Sequence, residues 1–116
     1  MKKIQVAIVD DEPLARARLQ RLLAQQAGYQ CVGEAENATQ AMRLIHALQP
    51  DLLLLDIAMP GADGISLATD ILALATPPAV IFVTAHPQHA LQIAHMDQRQ
   101  VAVEVLALET RRLAAV

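Results

Sequence analysis

The chain has 116 residues, of which 54% are apolar and 18% are charged, and its formal net charge is −3. This composition excludes intrinsic disorder, which requires low hydrophobicity and high charge, and the length fits one domain. The nine basic residues form no block, so direct binding of nucleic acid is not expected. Apolar runs fall short of the ~20 residues of a membrane span. Cys31 has no second cysteine to pair with, so we expect a cytoplasmic protein without disulfides and without a membrane segment.

Predicted strands and helices alternate along the chain. Short runs rich in Val, Ile and Leu predict buried strands at 4–9, 52–55 and 79–83, and a loose alternation over 30–36 predicts another strand. Helices are predicted at 14–27, at 38–48, at 65–75 and from Pro87 to about 95. We expect Asp11 and Asn37 to cap the first two helices and Gly28 to end the first. The alternation predicts a parallel sheet with helices on both faces.

Polar side chains follow three of these strands at the point where each strand ends. Asp10 and Asp11 follow the first strand, Asp56 the third and Thr84 the fourth. Ligands of parallel α/β sheets bind at this carboxyl edge. Carboxylates gathered there repel each other unless a hard cation is bound, and Mg²⁺ suits such a donor set. Asp51 lies at the opposite end of the third strand, where we expect only a role in the turn.

Four short motifs resemble the receiver domains of two-component response regulators. The words Val-Asp-Asp-Glu-Pro (9–13), Leu-Asp-Ile-Ala-Met-Pro-Gly (55–61), Asp-Gly (63–64) and Val-Thr-Ala-His (83–86) carry the resemblance. The run at 10–16 is similar to the LytR/AlgR-type branch. The resemblance covers about residues 4–91, whereas 92–116 diverge. It implies a single CheY-like receiver domain over 1–116: a doubly wound, five-stranded parallel sheet in the order 2-1-3-4-5.

The resemblance also implies a role for each residue that matches a motif. Asp56 would accept a phosphoryl group from a histidine kinase. Asp11 would bind Mg²⁺ directly, Asp10 would help to hold it through water, and Ala58 would offer a backbone carbonyl. Thr84 would contact the phosphoryl group and switch the following loop. The domain would be a signalling phosphoacceptor, with at most slow self-dephosphorylation, and not an enzyme. DNA would be bound only by an output domain, for which this length has no room, so we expect a stand-alone receiver or a fragment.

One position departs from the family pattern. The family carries a lysine and a proline at the end of strand five, and an ungapped comparison puts Glu104 and Val105 there; no lysine follows Lys3. The three carboxylates, Mg²⁺ and a lysine would sum to zero charge, whereas an inward Glu104 would leave two negative charges. One charge pair at 4 Å is worth up to ~4 kcal/mol at an effective dielectric constant of 20. Either Glu104 points elsewhere, or the domain is a degenerate receiver that serves as a phosphorylation-independent interaction or dimerisation module.

The last segment allows two structures. Alternation of Val101, Val103 and Val105 predicts a fifth strand, but the apolar spacing also fits one long helix over about 87–114. In the helical case the fourth strand would be an open edge, and a homodimer would be the expected assembly.

Other signals receive plainer interpretations. A phosphatase-like enzyme is disfavoured because position 58, where a general acid would stand, is Ala. His86 and His89 are interpreted as surface residues and Cys31 as a core residue. We interpret Arg16, together with Arg18 and Arg21, as a solvated helix face.

Overall fold

The computed structural model describes residues 2–56, 64–84 and 103–107. In these ranges five strands form a single sheet with the order β2-β1-β3-β4-β5, and every neighbouring pair is parallel. The predicted α/β fold and strand order are therefore confirmed. The strands are β1 (Ile4–Val9), β2 (Tyr29–Ala35), β3 (Leu52–Asp56), β4 (Ala79–Thr84) and β5 (Val103–Ala107).

The fifth strand settles the ambiguity of the last segment. Val103–Ala107 pairs with β4 along its whole length, so one continuous helix over 87–114 is wrong. β5 covers the edge of β4 that the helical case would leave open, so a homodimer formed through an open β4 edge is not expected. The helix predicted after Pro87 lies outside the described residues, as do Ala58, His86 and His89.

Among the described residues, three helices lie between the strands: α1 (Pro13–Ala24), α2 (Ala38–Leu48) and α3 (Gly64–Leu72). The predicted cap of α2 is confirmed, because Oδ1 of Asn37 accepts a hydrogen bond of 2.9 Å from the Gln40 N–H. The predicted cap of α1 is wrong, since Glu12 occupies that position and makes no side-chain cap bond. Pro13 at the first helical position needs no N–H partner, which reduces the demand for a cap.

Helix α1 ends earlier than predicted. After Ala24 the backbone bonds run from Gln25 to Leu22 and from Gln26 to Leu23, a tighter spacing that closes the last turn. Gly28 lies beyond this turn with φ of +93°, a conformation that favours glycine. Its carbonyl accepts the first N–H of β1, from Ile4, at 2.7 Å. Gly28 therefore shapes the approach to β2, not the end of the helix.

The core lies on both faces of the sheet. Helix α1 covers one face, where Leu19 packs with Val6, Ile8, Leu54 and Val83. Helices α2 and α3 cover the other face, and twelve buried residues form that larger cluster, including Phe82, the chain's one phenylalanine. No helix in the described ranges is long and apolar enough to cross a membrane.

Asp51 has the structural role predicted from its position. Its carboxylate accepts a hydrogen bond of 2.9 Å from the Gln5 N–H, and its own N–H donates to the Gln5 carbonyl at 2.9 Å. Asp51 therefore ties the start of β3 to β1, at the end of the sheet opposite to the acidic cluster.

Candidate functional site

Three acidic side chains meet at the carboxyl edge of the sheet. Asp10 and Asp11 follow β1, and Asp56 is the last residue of β3, the strand paired with β1 in parallel register. One carboxylate oxygen from each residue lies within 4.8 Å of the other two. The predicted convergence is confirmed, and it follows from topology, because parallel neighbours bring their carboxyl ends to one edge. We call these three residues the acidic cluster.

Burial and charge act together on Asp10. Its side chain is buried, whereas Asp11 and Asp56 are half-buried. The pKa of the Asp10 carboxyl is raised from 3.8 to about 6, chiefly by burial and also by the charges of Asp56, Asp11 and Glu12. The Glu12 N–H, which donates to Oδ1 of Asp10 at 2.9 Å, opposes this effect. The cluster is therefore a place where negative charge is costly and a cation would be stabilising.

The donor set fits Mg²⁺. A hard cation prefers oxygen ligands, and Mg²⁺ is typically bound by one or two carboxylates together with waters. The three carboxylates are close enough to share one ion, and a bound cation would offset the burial and the neighbouring charges that raise the pKa of Asp10. Asp10, Asp11 and Asp56 are the residues that would hold it.

The strand register places Thr84 next to the cluster. Asp56 of β3 is level with Val83 of β4, so Thr84 lies one residue beyond that level on the adjacent strand. This backbone position agrees with the predicted role in contacting a group carried by Asp56.

The register also locates Glu104. The β5 residue level with Thr84 is Ala107, and Glu104 is paired with Ile81, three residues earlier. At about 3.3 Å per residue, the backbone of Glu104 lies about 10 Å along the strand from the level of Thr84. The net charge of −2 calculated for the site assumes that Glu104 lies at the carboxyl end of β5. In the structure Glu104 is the second residue of that strand.

One residue that contributes to the site was misjudged in the sequence. Arg16 was interpreted as part of a solvated helix face, but its side chain is only 16% exposed. Its Nη1 donates to the Asp10 carbonyl at 2.7 Å, and its Nε donates to Oε1 of Glu34 at 3.1 Å. Gln20 donates to the other oxygen of Glu34. The spacing along α1 gives one available signal, because Arg16 and Gln20 are four residues apart and share a face.

Comparison with known proteins agrees with this geometry. Residues 6–106 match the family model described as "Response regulator receiver domain". The chain is 51% identical over 90 residues to the positive alginate biosynthesis regulatory protein of Pseudomonas aeruginosa, covering 77% of this chain and 36% of that protein. It is 39% identical over 94 residues to the transcriptional regulatory protein LytR of Staphylococcus aureus, covering 81% of this chain and 38% of that one.

A solved structure shows the same fold. The signal receiver domain of the response regulator NarL from Mycobacterium tuberculosis superposes with a TM-score of 0.78 at 34% identity, covering 97% of this chain and 90% of that one. The chain spans little more than a third of the length of the curated relatives it matches. The match over most of its residues shows that the chain belongs to the family of response regulator receiver domains.

Proposed function

We propose that this domain accepts a phosphoryl group on Asp56, in the presence of Mg²⁺, from the phosphohistidine of a histidine kinase. The observation that carries the proposal is the acidic cluster, in which Asp10, Asp11 and Asp56 place carboxylate oxygens within 4.8 Å of one another. Membership of the receiver family supports the same assignment. Asp56 is half-buried and is the last residue of the central strand β3.

The reaction is a displacement at phosphorus. A carboxylate oxygen of Asp56 forms the new P–O bond while the P–N bond to the histidine breaks, and the imidazole departs with the electron pair of that bond. Mg²⁺, when bound, neutralises charge on the transferring phosphoryl oxygens. Asp10 and Asp11 would hold the ion, and the sheet fixes Asp56 beside them because β1 and β3 are paired in register.

Thr84 is the proposed reader of the phosphorylated state. It follows Val83, the residue level with Asp56, and a hydroxyl can donate to a phosphoryl oxygen. A bond of that kind would form only when the phosphoryl group is present and would bias the chain that follows β4. The domain is thus proposed to act as a switch and not as an enzyme with external substrates.

The alternative is a degenerate receiver that works without phosphate. The observation in its favour is that no lysine follows Lys3, so the family's lysine partner of the phosphoryl group is missing. The register weakens the electrostatic part of this argument, since Glu104 is paired with Ile81 and not with Thr84.

Acetyl phosphate distinguishes the two functions. The purified chain is incubated with acetyl phosphate and MgCl₂, and its intact mass is measured. We expect a species heavier by one phosphoryl group in the wild type, and none in Asp56→Asn or after chelation of Mg²⁺. A folded wild type that gains no phosphate would favour the degenerate receiver, and a gain that survives Asp56→Asn would overturn the site assignment.

The relatives suggest the wider context. One is named a regulatory protein of alginate biosynthesis and the other a transcriptional regulatory protein, and both are much longer than this chain. We propose that the domain acts in the cytoplasm and controls transcription through a DNA-binding output region of a longer protein. Without the rest of such a protein, direct DNA binding by residues 1–116 is not expected, given the net charge of −3.

A further inference from the structure

We propose that Arg16 is a positioning residue of the magnesium site, acting through the backbone of Asp10. This inference rests on the proposed function and adds a residue to the site. The Arg16 side chain bridges two elements: Nη1 donates to the Asp10 carbonyl at 2.7 Å, and Nε pairs with Oε1 of Glu34 on β2 at 3.1 Å. Arg16, Glu34 and Gln20 together are called the arginine clamp.

With the arginine clamp, the N–H, the carbonyl and one carboxylate oxygen of Asp10 all form hydrogen bonds. The Asp10 N–H donates to the Ala35 carbonyl at 3.0 Å, its carbonyl accepts from Arg16, and Oδ1 accepts from the Glu12 N–H at 2.9 Å. Its backbone is therefore held on both sides of the Cα, which leaves the carboxylate little freedom to turn away from Asp11 and Asp56.

Glu34 gives the guanidinium its orientation. One carboxylate oxygen accepts from Arg16 and the other from Gln20, so Glu34 is bound to two residues one helical turn apart on α1. An arginine presents its donors in a rigid planar fork. Fixing Nε on Glu34 therefore also directs Nη1 towards the Asp10 carbonyl. Ala35, the next residue of β2, accepts a hydrogen bond from the Asp10 N–H. β2 therefore contacts Asp10 directly through Ala35 and indirectly through Glu34 and Arg16.

The sign of the expected effect separates positioning from simple charge. Replacing Arg16 by a neutral residue removes a positive charge that contacts the Asp10 carbonyl. Because that charge repels a cation, loss of the charge alone would make Mg²⁺ bind more tightly. Loss of positioning predicts the opposite. Removal of an outer partner of a metal ligand typically weakens metal binding about 10- to 100-fold.

The test is the dissociation constant of Mg²⁺, measured by calorimetric titration of the phosphate-free chain. We expect Arg16→Met to bind Mg²⁺ at least about tenfold more weakly than the wild type. The control, Arg21→Met, makes the same charge change at an exposed position of the same helix and should bind at least as tightly as the wild type. Glu34→Met should weaken binding too, and the double variant should be little worse than Arg16→Met alone, because both substitutions break one clamp.

If Arg16→Met fails to fold, the two lysine variants Arg16→Lys and Arg21→Lys provide the test. Arg16→Lys retains the charge but cannot bridge Glu34 and the Asp10 carbonyl with a planar fork, so it should bind Mg²⁺ more weakly than Arg21→Lys. Amide hydrogen exchange at Glu12, whose N–H holds Oδ1 of Asp10, should be faster in Arg16→Lys than in Arg21→Lys. A merely structural role would lower the melting temperature of the phosphate-free chain without changing the dissociation constant of Mg²⁺.

Failure of the arginine clamp and failure of the proposed function give different results in these measurements. Wild-type protein that binds no Mg²⁺, or binding that survives Asp56→Asn together with Asp10→Asn, would overturn the proposed site and the clamp with it. Wild-type protein that binds Mg²⁺ while the Arg16 variants bind it equally well or more tightly would overturn the clamp alone.

Discussion

Replacing Asp10 by Asn should stabilise the metal-free domain at neutral pH. Asparagine keeps an oxygen at the position of Oδ1, which accepts the Glu12 N–H at 2.9 Å, and it removes a buried charge beside Asp11 and Asp56. The pKa of Asp10 rises from 3.8 to about 6 in the folded state, chiefly through burial. At 1.36 kcal/mol per tenfold change in proton affinity, this difference corresponds to about 2–3 kcal/mol in the free energy of unfolding.

The effect of Asp10→Asn on the free energy of unfolding should depend on pH. Because the folded pKa of Asp10 lies above the unfolded value, protonation favours the native state, and this contribution is fully present only below 3.8. It is lost as the pH rises through about 6. The stability advantage of Asp10→Asn should therefore be small near pH 4 and complete above about pH 7.

Urea unfolding followed by circular dichroism measures the effect. Wild type and Asp10→Asn are compared in the presence of a chelator at several pH values between about 4 and 8. Addition of MgCl₂ should stabilise the wild type and leave Asp10→Asn nearly unchanged, because a ligand that binds only the native state stabilises it by RT ln(1 + [L]/Kd), which is small when binding is weak. An Asp10→Asn variant that is equally or less stable than the wild type above pH 7 without Mg²⁺ would refute the electrostatic reasoning.

Substitutions at three further positions test the fold by urea unfolding. Phe82→Ala, at a fully buried residue of β4, should lower the free energy of unfolding by about 3–5 kcal/mol, and a loss below about 1 kcal/mol would contradict its place in the core. Asn37→Ala should cost about 1 kcal/mol through loss of the α2 cap, whereas Asn37→Gly should cost only a few tenths. Gly33→Ala should cost about 1 kcal/mol, because its Cβ would lie 2.8 Å from Cδ1 of Leu44, a side-chain end that can move only against its neighbours.

The sequence carried enough information for the strands and for the acidic cluster. Short apolar runs bounded by acids predicted β1 and β3, and the rule for parallel strands then brought Asp10 and Asp56 together without any distance being known. The end of α1 was harder, because Gly28 is a common helix terminator and yet serves a later turn at φ of +93°.

Two features depend on contacts between distant parts of the chain and were therefore out of reach. Arg16 pairs with Glu34, eighteen residues away, and the helical spacing of α1 shows only that Arg16 and Gln20 share a face, not what that face contacts. The level of Glu104 is set by its pairing with Ile81, and an ungapped comparison with a family cannot supply that register when the preceding segment diverges.

The measurement that tests the central claim most directly is chemical trapping of the phosphoryl group. The chain is treated with acetyl phosphate and Mg²⁺, reduced with borohydride, which converts an aspartyl phosphate to homoserine, and mapped by peptide mass spectrometry. The proposed function predicts homoserine at position 56 in the wild type and none when Mg²⁺ is chelated. Homoserine at another aspartate, or an unmodified Asp56 in a folded chain with Mg²⁺ bound, would contradict it.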